Sequence, residues 1–423
     1  MKKIFTQNIL PTIMLCIFAV ISGAITGALT AGFGRVLLKI GTVRTEHLLW
    51  FLPLLPLSGM LIVWIYKKYG GESSGGMGLI FESASQNDRH IPLRLIPILT
   101  ISTWITHLCG GSAGREGVAV QLGAAVSDNI GKRIRMFREI PDTVRILTIS
   151  GMAAGFSGLF HAPIAAVCFS LEVLAVGKLE YYALLPASVA AVTANLVSSA
   201  LGLGTFSVAF PELDFSPLSL SVIALGILSG LTGGLFTFLM KQGKKYSAEL
   251  IKNPVIRVGA GGIVLAVLLY ICGHGRYTGL GTDLISLACS GGKVYSFDFI
   301  LKLLFTVFTL SIGFQGGEVT PLFATGACLG AFTAPLFGIP SVAGAALCYA
   351  AVFGSASNTL LAPVFIGAEV FGFSSMPYFV VVCTVARLCN GNRSMYGKQK
   401  GSPLFLKNQA CPYAQDNRKT PVC

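Results

Sequence analysis

The chain has 423 residues, of which 53% are hydrophobic and only 12% charged, with 50 glycines and a formal net charge of +13. A soluble globule carries about 25% charged residues, so composition excludes a water-soluble domain and points to an all-α polytopic membrane protein. The positive charge does not mark a nucleic-acid partner, because it gathers in loops and tails: Lys2-Lys3, Lys67-Lys68, Lys132 to Arg138, Lys241 to Lys252, and Arg393 to Lys400. The positive-inside rule places these loops, and both termini, in the cytoplasm, as expected of a multi-pass cell-membrane protein.

Roughly twelve to fifteen apolar segments follow one another, several shorter than the ~20 residues that span a bilayer core. Short segments broken by Gly or Pro are the mark of transporters built from discontinuous helices. Met1 to about Leu29 has the outline of a signal peptide, but further segments follow at once, so a retained first helix is expected. The opening helices are predicted at about Ile9–Leu29 and His47–Tyr66. Gly23 and Gly27 form a GxxxG pair suited to close packing of membrane helices.

A Gly-rich turn, Gly70 to Ile80, then opens a short segment. Segment Ile91–Cys109 leads into the central stretch, Gly110-Gly111-Ser112-Ala113-Gly114-Arg115-Glu116-Gly117-Val118. Apolar runs lie on both sides of this turn, which places it at membrane depth. Non-helical backbone survives there only inside protein or beside a water-filled cavity. Glycines let backbone N–H groups converge, and a helix start adds positive dipole. A carboxylate in such an anion site competes with the anion for those donors, which suggests an anion pathway gated by Glu116.

Downstream, Val144–Ala154 and the stretch from Gly155 through Pro163 to Glu172 precede segments at about Ala183–Leu201, Leu218–Met240 and Val255–Cys272. A further Gly turn, Gly313 to Pro321, opens helical segments at roughly Leu322–Phe337, Ala343–Phe353, Leu360–Phe371 and Met376–Leu388. Gly114-Arg115-Glu116-Gly117-Val118 aligns with Gly317-Glu318-Val319-Thr320-Pro321. Glu172 and Glu369 each stand nine residues after an aligned pair, Ala162-Pro163 and Thr359-Leu360. The expected organisation is one transmembrane domain over 1–400, with inverted halves at about 15–200 and 215–395. Residues 401–423 form a short basic tail.

These residues resemble the CLC chloride channels and anion/proton exchangers. Gly114 to Val118 is similar to the family's GREGP motif, with Val118 replacing proline, and Gly317 to Pro321 to its GxFxP motif. Gly155 to Glu172 resembles the family's Gly-Ser-Gly, Pro and Glu segment. Chloride members carry GSGIP where this chain has Gly76-Met77-Gly78-Leu79-Ile80. That Met for Ser, with Thr320 beside Glu318, resembles the fluoride-selective branch, whose members are fluoride/proton antiporters.

The resemblance implies a CLC-type inverted repeat with short, tilted helices and a homodimer with one pathway per subunit. It implies Glu116 as the gating and proton-coupling glutamate. Anion contacts would come from Gly76, Met77, Gly78, Gly117, Val118, Val319, Thr320 and Tyr396, with Glu318 accessory. Blander roles exist for several: Met77 as core filler, Thr320 as a helix N-cap ahead of Pro321, and Tyr396 as an interfacial tyrosine. Glu172 and Glu369 read as structural. Exchangers often carry a second glutamate where this chain has Val173, so the inner proton route has no named residue.

Fluoride, protons and membrane lipid are the expected partners, with no nucleic acid. The eleven cysteines form no CxxC pair and the five histidines show no metal spacing, so neither metal nor cofactor is expected. The alternative within the family is a chloride-type channel or chloride/proton exchanger. Gly110 to Gly114 also fits G-x-S-x-G, but a nucleophile elbow needs a strand before it and a soluble α/β core. An enzyme is therefore not expected.

Overall fold

In hydrocarbon a backbone must satisfy its own N–H and C=O groups, and for apolar runs like these the helix is the solution. The computed structural model describes residues 10–85, 90–135, 137, 142–204, 206–211 and 216–401. Lys2, Lys3, Arg138 and the tail beyond 401 lie outside the described residues. Within them the chain is helical, with two isolated bridges, Gly114 with Gly317 and Ala175 with Lys400. Among the described residues, seven helical stretches are long and apolar enough to cross a membrane.

The first helix, α1 (Leu10–Glu46), runs 37 residues. It passes well beyond the expected end at Leu29, because no proline follows and Arg44 in its last turn is buried against the protein. The next elements are α2 (Leu55–Ile65), α3 (Gly76–Ser85), α4 (Leu95–Leu108) and α5 (Glu116–Gly131). Then α6 (Thr143–Phe160) swallows the Gly155-Phe156-Ser157-Gly158 stretch as helix. His161 in the left-handed region ends α6, and Pro163 at the first helical position starts α7 (Pro163–Glu172). The first half closes with α8 (Leu184–Ala200).

The second half holds α9 (Leu220–Leu250), α10 (Pro254–Ile271), α11 (Thr282–Cys289), α12 (Asp298–Ile312), α13 (Val319–Thr333), α14 (Ser341–Ser357), α15 (Leu361–Phe371) and α16 (Met376–Cys389). Helices α7 and α15 have 10 and 11 residues. At about 1.5 Å per residue they cover only half of a ~30 Å hydrocarbon core, and they pack on each other as half-helices.

Small residues let the helices touch. On α1, a Cβ at Gly23 or Gly27 would stand 2.6 or 2.5 Å from the carbonyl oxygens of Ala190 and Ala194 on α8. Between α5 and α6, a Cβ at Gly123 would fall 2.0 Å from the Gly151 oxygen. Backbones therefore meet directly, which is how helices without a hydrophobic driving force gain contact in lipid. The two helices this close pair holds together, α5 and α6, carry Glu116 at their buried end.

Candidate anion site at the meeting of two helix starts

Two turns cross at the centre of the protein. Gly110 to Arg115 leads into α5, and Gly313 to Glu318 leads into α13. The Gly114 N–H donates to the Gly317 carbonyl at 2.5 Å, and the Gly317 N–H donates back to Gly114 at 2.8 Å. A Cβ at Gly114 would stand 2.8 Å from Pro321 Cδ, and one at Gly317 would stand 3.1 Å from the Gly117 nitrogen. Only glycines let these two helix starts lie side by side.

Glu116 is the first residue of α5 and is 1% exposed. Its carboxylate reaches across to the start of α13. Oε2 accepts the Thr320 backbone N–H at 3.1 Å and the Thr320 hydroxyl. It also accepts the Arg115 N–H at 3.3 Å, while Arg115 Nε stands 3.5 Å from Oε1. One carboxylate oxygen thus collects two amides and a hydroxyl at a positive helix end, the donor set that a buried anion needs.

A cavity of about 210 Å³ opens onto this carboxylate, with Arg115, Thr320 and Tyr349 in its wall. Val118 and Val319 are buried in the packing around the crossing. Gly117 lies beneath it, and a Cβ there would stand 3.8 Å from Glu318 Oε2. The Glu318 carboxylate is therefore beside the crossing on the side of Gly117, whereas Glu116 turns to Thr320.

The remaining expected residues reach the crossing indirectly. Gly76 begins α3 with a positive φ of 54°, and Met77 packs on the main core. The Gln121 amide on α5 donates to the Gly117 carbonyl at 3.1 Å, and its Oε1 would stand 3.9 Å from a Cβ at Gly76. Gln121 therefore lies between the first Gly turn and the second, bonded to the second and with its Oε1 unpartnered. Gly78 lies against Lys398, whose Nζ pairs with Glu82 at 2.7 Å. Tyr396 is buried, its ring edge-on to Phe81 of α3 at 5.4 Å and to Phe169 of α7 at 6.2 Å.

Three residues that sequence reading passed over belong to this centre. Gln121 is a buried amide one and a half turns after Glu116, and a single polar residue within the apolar run from Gly117 to Val126 was its only signal. Tyr349 stacks on Phe323 at 4.1 Å and lines the Glu116 cavity. Lys302 is fully buried on α12 and donates to Ser112 Oγ at 2.9 Å, to the Gly279 carbonyl at 2.8 Å and to the Tyr277 carbonyl at 3.1 Å. A lysine inside an apolar helix was visible, but nothing nearby in the sequence showed its three acceptors. The Thr306 hydroxyl donates to the Lys302 carbonyl at 2.8 Å, so the 2.9 Å contact between Ser112 and Thr306 is donated by Ser112. Ser112 is thus buried with its proton and a lone pair both engaged, and it pins the turn that presents Glu116.

Residues 58–391 match the profile of the Voltage gated chloride channel family. The chain belongs to that family. It is 36% identical over 361 residues to the "Chloride/fluoride channel protein" of Pseudomonas syringae pv. tomato, covering 83% of this chain and 78% of that protein. It is 27% identical over 357 residues to the "H(+)/Cl(-) exchange transporter ClcA" of Citrobacter koseri, covering 78% and 73%. Among solved structures it superposes on a CLC-type fluoride/proton antiporter with a TM-score of 0.89 and 46% identity, over 92% of this chain and 98% of the other. A slow cyanobacterial Cl−/H+ antiporter shares the fold at a TM-score of 0.75 and 20% identity. The family fold is the inverted repeat of short and broken helices read from the sequence.

Proposed function

We propose that this protein exports fluoride across a bacterial cell membrane in exchange for protons. The observation that carries the reading is the Glu116 carboxylate accepting both the backbone N–H and the hydroxyl of Thr320 at the start of α13. Identity to a fluoride/proton antiporter at 46%, against 27% to a chloride exchanger, favours fluoride over chloride.

The geometry supports a simple cycle. Ionised, Glu116 fills the donors of the α13 start and blocks the path. Protonation removes its charge, so the donors no longer prefer it and a halide takes its place. When the halide leaves outward and the proton leaves inward, the carboxylate returns. Proton entry is thereby tied to anion exit, and mass action through an inward proton gradient holds cytoplasmic fluoride down. Fluoride suits such a site because it is small and charge-dense, so a few short charge-assisted bonds replace its water. Gly76, Met77 and Gly78 offer backbone N–H groups and no side-chain hydroxyl, and Gly117, Val118, Val319 and Tyr396 complete the anion path. Glu318 is an accessory carboxylate beside it.

The protein works as a homodimer with one pathway per subunit, in a single transmembrane domain over 1–400 with cytoplasmic termini. The test is fluoride efflux from liposomes containing the purified protein, with external pH recorded at the same time. Fluoride efflux accompanied by proton uptake, and little chloride efflux, is the expected result. Chloride efflux equal to that of fluoride overturns the selectivity, and fluoride efflux without proton movement overturns the coupling.

A further inference from the structure

A second cavity, of about 270 Å³, adjoins the one above Glu116, and Leu38 and Thr282 line both. Its wall includes Arg44, from the last turn of α1, and the opening turn of α11. Arg44 is only 6% exposed. Its Nη1 donates to the His107 carbonyl at 3.1 Å, but its Nε has no hydrogen-bond partner. Among the described residues no carboxylate lies within ion-pair distance of it. Asp283, in the same cavity wall but beyond that distance, is the acid whose charge acts on Arg44, and a buried guanidinium so thinly compensated is costly.

Other groups in the wall divide cleanly into engaged and free. The His107 ring nitrogens face the carbonyls of Thr103 and Ala113 at 2.8 and 2.9 Å. The hydroxyls of Thr42 and Thr45 donate to Leu38 and Gly41 of their own helix. By contrast, the Thr282 hydroxyl makes no hydrogen bond among the described residues. Helix α11 begins there with no side-chain cap, so its first amides are also free. Asp283 is exposed at the rim, where water screens it. Arg115, ion-paired with Glu116 at 3.5 Å, stands in the adjoining cavity.

We propose that Arg44, Thr282 and the first turn of α11 form a second anion site, an outer station for a monovalent halide leaving the Glu116 site. Its physiological ligand rests on the fluoride-export reading, and its position outside Glu116 on the cytoplasmic placement of the N-terminus. The cavity is several times the ~30 Å³ share of one water, so a halide binds there with part of its hydration shell. The station therefore accepts bromide as readily as fluoride, unlike the tight donor set at Thr320.

Two measurements on the full chain test this. Crystals soaked in sodium bromide are expected to show an anomalous peak at the Arg44 guanidinium, lost in Arg44→Gln. In liposomes at constant ionic strength, external bromide is expected to inhibit fluoride efflux. Arg44→Gln should raise the half-inhibiting bromide concentration by about tenfold, the low end of electrostatic focusing. Arg44→Lys should stay close to the wild type and Thr282→Val should fall between, and these two carry the test if Arg44→Gln does not fold. A peak that persists in Arg44→Gln, no peak at all, or an unchanged inhibition curve in the variants overturns the site. If the wild type moves no fluoride, the export reading fails, and the bromide peak with its loss in the variants decides the site alone.

Discussion

Glu172 and Glu369 close each other's helices. Glu172 ends α7, and its carboxylate accepts the N–H groups of Leu360, Leu361 and Ala362 at 2.9, 3.1 and 3.1 Å at the start of α15. Glu369, on α15, accepts those of Ile164 and Ala165 at 3.0 and 2.8 Å at the start of α7. Two half-helices that end inside the protein expose amides that water cannot reach. Each supplies the carboxylate that satisfies the other, and the exchange locks the two halves of the chain together.

Replacing either glutamate with Gln removes the charge and one acceptor oxygen. Each change is expected to cost about 1–2 kcal/mol, the upper range for a helix cap. A lower thermal midpoint in detergent, with an unaltered ratio of protons to fluoride, is the outcome that fits. A changed ratio with an unchanged midpoint would move these residues into the transport path.

Glu116→Gln keeps the shape of the gate and removes its titration. Proton movement driven by a fluoride gradient is expected to fall by about 10²-fold, the scale of losing one positioned proton-transfer group. Simultaneous pH and fluoride-electrode traces from liposomes read this directly. Coupled exchange at the wild-type rate would show that the proton travels by another group.

Thr320→Val deletes the hydroxyl that meets Glu116 and leaves the backbone N–H in place. A hydrogen bond to a charged group contributes about 1.5–3 kcal/mol, so fluoride should bind at least about tenfold more weakly. The readout is the fluoride concentration at half-maximal flux. An unchanged concentration would reduce Thr320 to the helix-capping role.

Met77→Ser restores a side-chain hydroxyl at the start of α3. It should admit chloride, and the ratio of fluoride to chloride flux should drop by about tenfold, the worth of one charge-assisted hydrogen bond. A ratio equal to the wild type would show that selectivity lies at the α13 start alone.

Lys302→Met leaves the buried Tyr277 carbonyl without a donor and takes one of two donors from the Gly279 carbonyl, which keeps the Ala113 N–H at 3.3 Å. Each such loss costs about 1–3 kcal/mol, so the variant should unfold at a clearly lower temperature. Ser112→Ala should retain coupled transport, since its role is to hold the turn. Abolished transport in a well-folded Ser112→Ala protein would give that hydroxyl a direct part in the pathway.

The sequence by itself determined the membrane class, the Gly turns and the carboxylate at the head of α5. These are local properties: hydropathy over one segment, glycine at one turn, one acid among apolar neighbours. Local pattern was weaker where packing overrides it, as in α1, which continues past Leu29 because its later turns are held by the protein. Only the tertiary structure decided what each buried polar group meets. Thr320 lies 204 residues from Glu116, Lys302 lies 190 from Ser112, and Glu172 lies 188 from Leu360. A half-helix announces its unsatisfied amides, but the residue that satisfies them comes from the other half of the chain. Periodicity carries no information about that choice, because it is made when glycine-faced backbones come into contact and exclude water.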